Sequence, residues 1–509
     1  MSYLNFRDSP WKRENTHPIY KDSSFAMNPA PEYANSEVLL ASLYRTIGFP
    51  TVSEGIVPQN GRDLDKSIYS QRDKKHSSFK NTTIDLDTWI TVLHGILESP
   101  KLPNQSSKRF LQVTPLIPQF AIFSGSARLS SNSWPAGSLI RRMVWLGSEN
   151  SASAEALWKD LYIALSVNED DDIFARWLEE ETKCWTSKNE WKYIQPSIAE
   201  VGVLDYKDIS EIDFLPARVF VKDLKAIINA KNLVTRRQWT SLLEAILRIG
   251  AVAHVIWLCD FQSRTWAILN DALNKKESIK ENLKEELFPT QPQYMSYGGK
   301  ALNSLKDKIS SYLAARLGIN NLLWSLEEID KPFKGSIDNV NGIYELSLHI
   351  NKNIEQLTSH KTQERFFDLK ERESRVLNCK KGIGSNIFEF IRHVLGQRQT
   401  ASPLLRGYDQ GYFMKKKGGH SSSPWVVSLG PVAIITLVHC SLSEMSGPRS
   451  VFRLGQHLAA YGIAVDGRDI ARNDLGSQLR MLGLVLDSPD AESGMLLLPP
   501  FAQLDKGEA

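Results

Sequence analysis

Cysteine is scarce in this chain: four residues in 509, Cys184, Cys259, Cys379 and Cys440, with no CxxC pair among them. That spacing excludes a readable zinc knuckle or disulfide framework and leaves buried thiols in a reducing compartment as the plain reading. An excess of charge of either sign is missing as well, because 61 Lys and Arg face 58 Asp and Glu, a net +3. No long-range basic field follows, and any nucleic-acid affinity has to come from local patches. Long apolar runs are absent too. The longest, "IGAVAHVIWLC" from Ile249 to Cys259, falls short of the roughly 20 residues that cross a bilayer and reads as a buried core helix. The opening residues, "MSYLNFRDSPWKRENTHPIYKDSS", are polar and carry no apolar signal-peptide segment. A cytoplasmic protein without membrane contact is expected.

Recognisable catalytic patterns are missing in the same way. "YGGKALNS" and "KKGIGSN" place glycines beside lysines, but neither satisfies GxxxxGK[ST] or follows a credible strand, so they read as turns around helix ends. Nuclease chemistry requires carboxylates converging on a divalent metal. "SPDAES" with Asp490 and Glu492 and "IDLDTW" with Asp85 and Asp87 read instead as turn and helix-start residues. His254 near Cys259 and His439 beside Cys440 lack the second pair that a tetrahedral zinc site needs. "FSGSARL" is not a nucleophile elbow. No metal and no cofactor is expected. Whether a scattered catalytic site exists stays open, with Asp85, Asp87 and His94 as its candidates, and a non-catalytic protein is the preferred reading.

What is present is helix. At this length the size rule gives roughly two to four domains. The divisions are an N-terminal arm and polar loop region at 1–82, a helical domain at 83–200, a central helical domain at 201–400 and a C-terminal module at 401–509. The first 34 residues carry Pro10, Pro18, Pro29 and Pro31 and no apolar period, which suits an arm laid across a partner. Between Thr51 and Lys80, Arg62, Lys66, Arg72, Lys74, Lys75 and Lys80 alternate with Tyr69 and Phe79; a surface loop is the plain reading and a nucleic-acid strap the sharper one. Trp89, Val92, Leu93, Ile96 and Leu97 recur at helical spacing. Asp170, Asp171 and Asp172 gather at a helix start, where carboxylates complement the dipole. The strongest helix signal begins at Thr235, which with Gln238 makes a capping box ahead of Leu242, Leu243, Ile246, Ile249, Ala253, Ile256 and Trp257. Within it, His254 is expected as a hydrogen-bonded core histidine. Further helices are read at "KALNSLKDKISSYLAARLG", "GIYELSLHINKNIEQLTSH" and "KTQERFFDLKERESRVL", and strands are expected to be few and short.

The last eighty residues have the most definite order. A buried helix, "WVVSLGPVAIITLVHCSLSEM", is followed by a Gly447-Pro448 break, the helix "RSVFRLGQHLAAYGI", the loop "AVDGRD", the helix "NDLGSQLRMLG" and the apolar hairpin "LVLDSPDAESGMLLLPPF". Val451, Leu454, Leu458 and Tyr461 form one stripe, and Leu475, Leu479 and Leu482 another; Gly462 and Gly483 end the two helices. Three helices and a two-stranded wing in this order resemble the winged helix-turn-helix superfamily over this segment alone. The resemblance implies that the helix from Asn473 to Met481 is the one laid in a major groove. Asn473, Ser477, Gln478 and Arg480 would then face outward, with Gln and Arg suited to adenine and guanine edges. Arg449, Arg453 and Arg472 would meet phosphates, and Lys415, Lys416 and Lys417 in "YFMKKKGGHSSS" would form a flexible basic strap. Against duplex binding stand Asp487, Asp490 and Glu492 in the wing, and a local balance of ten cations and ten anions across 401–509. Many winged-helix relatives dock proteins.

The expected fold is therefore mainly α, a multidomain helical body with a winged-helix-like C-terminal module. The expected role is a non-catalytic subunit of a larger nucleic-acid-associated assembly, with other protein subunits and DNA as partners. In general style the chain resembles accessory subunits of bacterial antiviral defence systems. A protein scaffold that touches no nucleic acid is the alternative.

Overall fold

A computed structural model describes residues 3–27, 30–31, 36–50, 85, 87–88, 91–92, 115–122, 133–183, 190–201, 204–274, 283–288, 293–398, 407–418, 422–443, 447, 449–487 and 495–501. The fold is mainly helical. Its principal helices are α1 (Tyr3–Asp8), α2 (Pro18–Asp22), α3 (Ser36–Gly48), α4 (Ala136–Gly147), α5 (Ser151–Leu165), α6 (Ile173–Lys183), α7 (Pro216–Asn229), α8 (Arg236–Leu273), α9 (Leu302–Glu328), α10 (Val340–Lys352), α11 (Thr362–Arg372), α12 (Gly382–Leu395), α13 (Pro431–Leu442), α14 (Phe452–Ala459) and α15 (Asp474–Met481). As expected, the described strands are short: β1 (Ala30–Pro31), β2 (Ser133–Trp134), β3 (Met295–Ser296), β4 (Met414–Lys416), β5 (Trp425–Val427), β6 (Arg449–Ser450), β7 (Ile463–Ala464), β8 (Val485–Asp487) and β9 (Met495–Leu497).

Helix α8 is the axis of the molecule. The Thr235 hydroxyl accepts from the Gln238 amide and the Gln238 side chain accepts from the Thr235 amide, which completes the capping box. The helix then runs for 38 residues. Every residue from Ala245 to Gln262 is buried, so no face of that stretch meets solvent. A helix apolar all round needs partners all round, and α3, α4, α7, α9, α10, α12 and α13 supply them. Among the described residues α8 is the one helix long and apolar enough to cross a membrane, longer than its apolar run suggested; 94% of its most apolar window lies inside the protein. Close packing has a local requirement at Gly250, where a Cβ would lie 2.5 Å from the Phe220 ring of α7. The buried apolar residues form one cluster, continuous from Tyr3 to Leu497.

Polar groups on so enclosed a helix must be satisfied from within. Arg236 donates to the carbonyl of Leu116 at 2.8 Å and pairs with Asp171 at 3.0 Å, which Lys231 also approaches at 3.1 Å. Asp171 is thus a buried counter-ion, while its neighbour Asp172 does the capping, accepting from the Ala175 amide at 3.0 Å. Arg248 forks Asp409 at 2.8 and 3.1 Å and donates to the carbonyls of Val394 and Gly396. His254 departs from expectation. It is fully buried, its ring lies parallel to Trp257 with centroids 6.1 Å apart, and neither nitrogen has a hydrogen-bond partner among the described residues. Burial, with the nearby Arg142 charge, pushes its pKa down to about 3, so the ring is neutral.

The N-terminal segment is no free arm. Phe6, Tyr20, Phe25 and Met27 are buried. The Tyr3 hydroxyl donates to Asn321 of α9 at 3.3 Å, the His17 amide donates to Asn320 at 2.9 Å, and Arg316 donates to the Met27 carbonyl at 3.1 Å. The partner across which it lies is α9 of the same chain. Of the stripe read around Trp89, the described Val92 is 41% exposed, and the rest lies outside the described residues. The lysine- and arginine-bearing stretch 51–80 lies outside them too. Cys259, Cys379 and Cys440 are free and buried, and burial pushes the Cys259 and Cys440 thiols well up.

Two stability outcomes follow from α8. Removing one partner of the buried Arg248–Asp409 pair strands the other charge, so Arg248→Ala lowers stability by about 3–5 kcal/mol in urea denaturation. Burial acts to raise the Asp409 pKa, but Arg248 and Arg398 together outweigh it and hold the carboxyl below its ordinary 3.8. The pair's contribution is therefore full above that pH and lost as pH falls through the lower folded value, and Asp409→Asn removes this limb of the acid-denaturation curve. His254→Leu, which deletes two unsatisfied nitrogens at similar volume, raises the thermal midpoint by the equivalent of about 1–2 kcal/mol; a lowered midpoint would show that the imidazole is bonded.

Candidate nucleic-acid interface

The C-terminal segment keeps its expected helices but differs at both ends. Trp425–Val427 is strand β5, paired antiparallel with β4, and the helix begins at Pro431, whose ring suits a first helical position. Lys415 and Lys416 therefore sit on an ordered hairpin and Lys417 just past it, not on a flexible strap. That hairpin is fastened to the body, because the Gln397 amide donates to the Met414 carbonyl at 2.7 Å and the Phe413 amide to the Leu395 carbonyl at 2.8 Å. The expected two-stranded wing is a three-stranded antiparallel sheet in the order β6-β9-β8, with Arg449 opposite Leu497 and Leu486 opposite Leu496. Arg449 and Ser450, expected as the opening residues of the next helix, are strand β6 instead, and the helix begins at Phe452; two residues carry no alternation to read.

Both apolar stripes are where the spacing put them. Val451, Leu454, Leu458, Tyr461, Leu475 and Leu479 are fully buried, and Leu482 is packed at the edge of the core. Helix α15 ends as its glycine predicts. Gly483 has φ +68°, its amide donates to the Arg480 carbonyl, and the Leu484 amide reaches back to Leu479, both at 3.0 Å.

The face of α15 is less open than the sequence implied. Asn473 is its N-cap, accepting from the amides of Leu475 and Gly476 at 2.9 and 3.2 Å. Ser477 is exposed. Gln478 is half-buried: its amide nitrogen donates to Asp474 at 3.0 Å, and its oxygen is buried without a partner among the described residues. Arg480 is exposed, yet its guanidinium grips both oxygens of Asp487 at 3.0 Å and donates to the Ala471 carbonyl at 3.0 Å. Those bonds hold Asp487 below its ordinary pKa and Arg480 above its own. Lys415 lies 3.5 Å from Asp474, and Lys416 stands over the Trp425 ring at 5.7 Å. Arg453 donates to the Ser441 carbonyl at 3.2 Å and so serves packing within the module. Arg449, Arg472, Lys417 and Arg468 are exposed and have no acidic partner among the described residues. Arg468 was not singled out from sequence; its place next to a helix start at Gly467–Ile470, close ahead of α15, is the signal that marks it.

Besides the hairpin and the packing of α13 on α8, two further contacts hold the module against the body. Strand β7 pairs in parallel with β3. Asp223 of α7 accepts from the Tyr461 hydroxyl at 2.6 Å and contacts His457 Nε2 at 2.9 Å. Large exposed apolar side chains also occur here: Met481 at 86%, Leu486 at 51% and Phe452 at 38%.

No rival catalytic site emerges among the described residues. No group of three or more His, Cys, Asp or Glu converges as a metal would require. Asp85 receives the amide and hydroxyl of Thr88 at 2.9 and 2.6 Å, as a helix-start residue does; His94, Asp490 and Glu492 lie outside the described residues. A cavity of about 320 Å³ beside α8 is lined by Glu37, Glu244, Arg248, Arg398, Tyr408 and Asp409. Its charges cancel internally, Arg398 on Glu37 at 2.9 Å and Arg248 on Asp409 at 2.8 Å. No family model, curated protein or solved structure matches the chain.

Asn473→Ala removes the acceptor for two amides. Hydrogen exchange at Leu475 and Gly476 then accelerates, with a loss of about 1 kcal/mol of stability; unchanged exchange there would show that the cap does not secure the helix start.

Proposed function

We propose that this chain is a non-catalytic subunit of a nucleic-acid-associated assembly, and that its C-terminal module is a winged helix that meets the phosphate backbone. The sheet order β6-β9-β8, with its strands interleaved in chain order among helices α13, α14 and α15, supports this reading, since it adds a first strand to the helix-and-wing order read from sequence. The observation that carries it is the set of exposed cations, Lys417, Arg449, Arg468 and Arg472, unpaired among the described residues of one small module. Unpaired surface cations release condensed counter-ions when they meet phosphate, whereas paired ones gain little. The helical body supplies the frame that fixes this module and the surfaces on which other subunits dock. Membership of a bacterial antiviral defence system is the setting this reading favours.

A specific observation favours a second reading. Met481 and Leu486 expose apolar surface beside the same helix, and apolar anchors of that kind mark protein contacts more than backbone contacts. In that reading the module grips a protein and no nucleic acid.

Titration of labelled duplex and single-stranded DNA and RNA across salt separates the two. The proposed function gives an affinity that falls steeply with salt, and replacing Arg468 and Arg472 together by Ala reduces the slope by about 2. Absence of binding to all of them at low salt removes the nucleic-acid reading and leaves the protein-docking one.

A further inference from the structure

Two cations beside the face of α15 are held by carboxylates of their own module. Arg480 grips Asp487 through Nε and its outer nitrogen, each at 3.0 Å from a carboxylate oxygen. Lys415 Nζ lies 3.5 Å from Asp474 Oδ2, the same oxygen that accepts from Gln478 at 3.0 Å. Three residues with the donors to meet a phosphate or a base edge are thus engaged by two acids. One acid stands in the first turn of the helix and the other on strand β8. Neither acid is structurally obliged to be there. Both side chains are 58% exposed, and Asn473, not Asp474, caps the helix. Exposed ion pairs contribute little to stability and exchange partners readily.

We propose that Asp474 and Asp487 act as a built-in competitor for phosphate. In the free protein they occupy Lys415, Gln478 and Arg480, and a docking nucleic-acid backbone displaces them. The exchange replaces a carboxylate by a phosphate oxygen on the same donors. Because the displaced carboxylates stay beside the bound backbone, they subtract from the affinity at every site. The module therefore discriminates against casual contact with nucleic acid: weak encounters reach only Lys417, Arg449, Arg468 and Arg472, and a well-fitted site also recruits Arg480 and Lys415. This regulation rests on the nucleic-acid reading of the module.

The test measures binding of the full chain to a labelled mixed-sequence duplex at several salt concentrations. Asp474→Asn and Asp487→Asn are compared with Asp466→Asn, which adds the same charge to the module. Asp466 holds no cation among the described residues, and its oxygen accepts only from the Arg468 amide at 2.9 Å, a bond that Asn retains. The proposal expects Asp487→Asn and Asp474→Asn to tighten binding about 3–10-fold each and to steepen the salt slope by about 1. It expects Asp466→Asn to give a clearly smaller gain. In an Arg480→Ala background, the gain from Asp487→Asn falls to that of Asp466→Asn. A wild-type chain that does not bind overturns the nucleic-acid reading and this proposal with it, even where an Asp474→Asn/Asp487→Asn chain binds, because removing two negative charges creates weak affinity by itself. Equal gains from all three positions, or a full gain in the Arg480→Ala background, overturn it while leaving the nucleic-acid reading intact. No binding by either wild type or the doubly substituted chain overturns both.

Discussion

The enclosure of α8 on all sides is the constraint from which the rest of the architecture follows. A helix whose residues from Ala245 to Gln262 never meet water forces its neighbours to come from everywhere in the chain, from α3 near the start to α13 near the end. It also dictates where buried charges go. Arg236 collects Asp171 and the carbonyls of Leu116, ahead of α4, and Ser166, just after α5, and Arg248 collects Asp409 and the end of α12. These pairs define which segments meet, since a misplaced segment would leave a guanidinium without its acceptor in a dry interior.

Through Arg248 the same constraint reaches the candidate interface. Asp409 lies just ahead of the β4–β5 hairpin, whose β4 strand is bridged to Gly396 at the end of α12. Parallel pairing of β3 with β7, and Asp223 beneath Tyr461 and His457, fasten the other side of the module. The candidate interface is therefore presented on a fixed support, and its exposed side chains are the part free to rearrange. Their pairings, Arg480 with Asp487 and Lys415 with Asp474, are on the exposed side, where rearrangement disturbs no core.

Periodicity and end chemistry were legible; long-range pairing was not. The capping box at Thr235, the stripe through Val451, Leu454 and Leu458 and the left-handed Gly483 are local signals, each complete within a few residues, and each is present as read. Asp171 looked like a capping charge because nothing local reveals that Arg236 reaches it across 65 positions. A core histidine is ordinarily hydrogen-bonded, which is why one is expected at His254; only the packing shows the ring laid parallel to Trp257 with neither nitrogen partnered among the described residues. The candidate interface was half legible. Element order placed α15, but whether Arg480 faced a base or an acid depended on strand register, which put Asp487 opposite the buried Met495 and within reach of the guanidinium. The lysines read as a loose strap because a three-residue strand has too few positions to declare its alternation.

The seating of the first residues on α9 has a consequence for how the molecule is made. The amide of His17 waits for an acceptor 303 positions downstream, and the hydroxyl of Tyr3 for one 318 downstream. On a ribosome adding residues one at a time, Phe6, Tyr20 and Phe25 emerge long before the surface that covers them exists. Contacts of such sequence separation form late and leave apolar groups exposed in the interim. Until α9 is available that segment's apolar side chains lack part of their cover, so their burial waits on pairing across some three hundred positions.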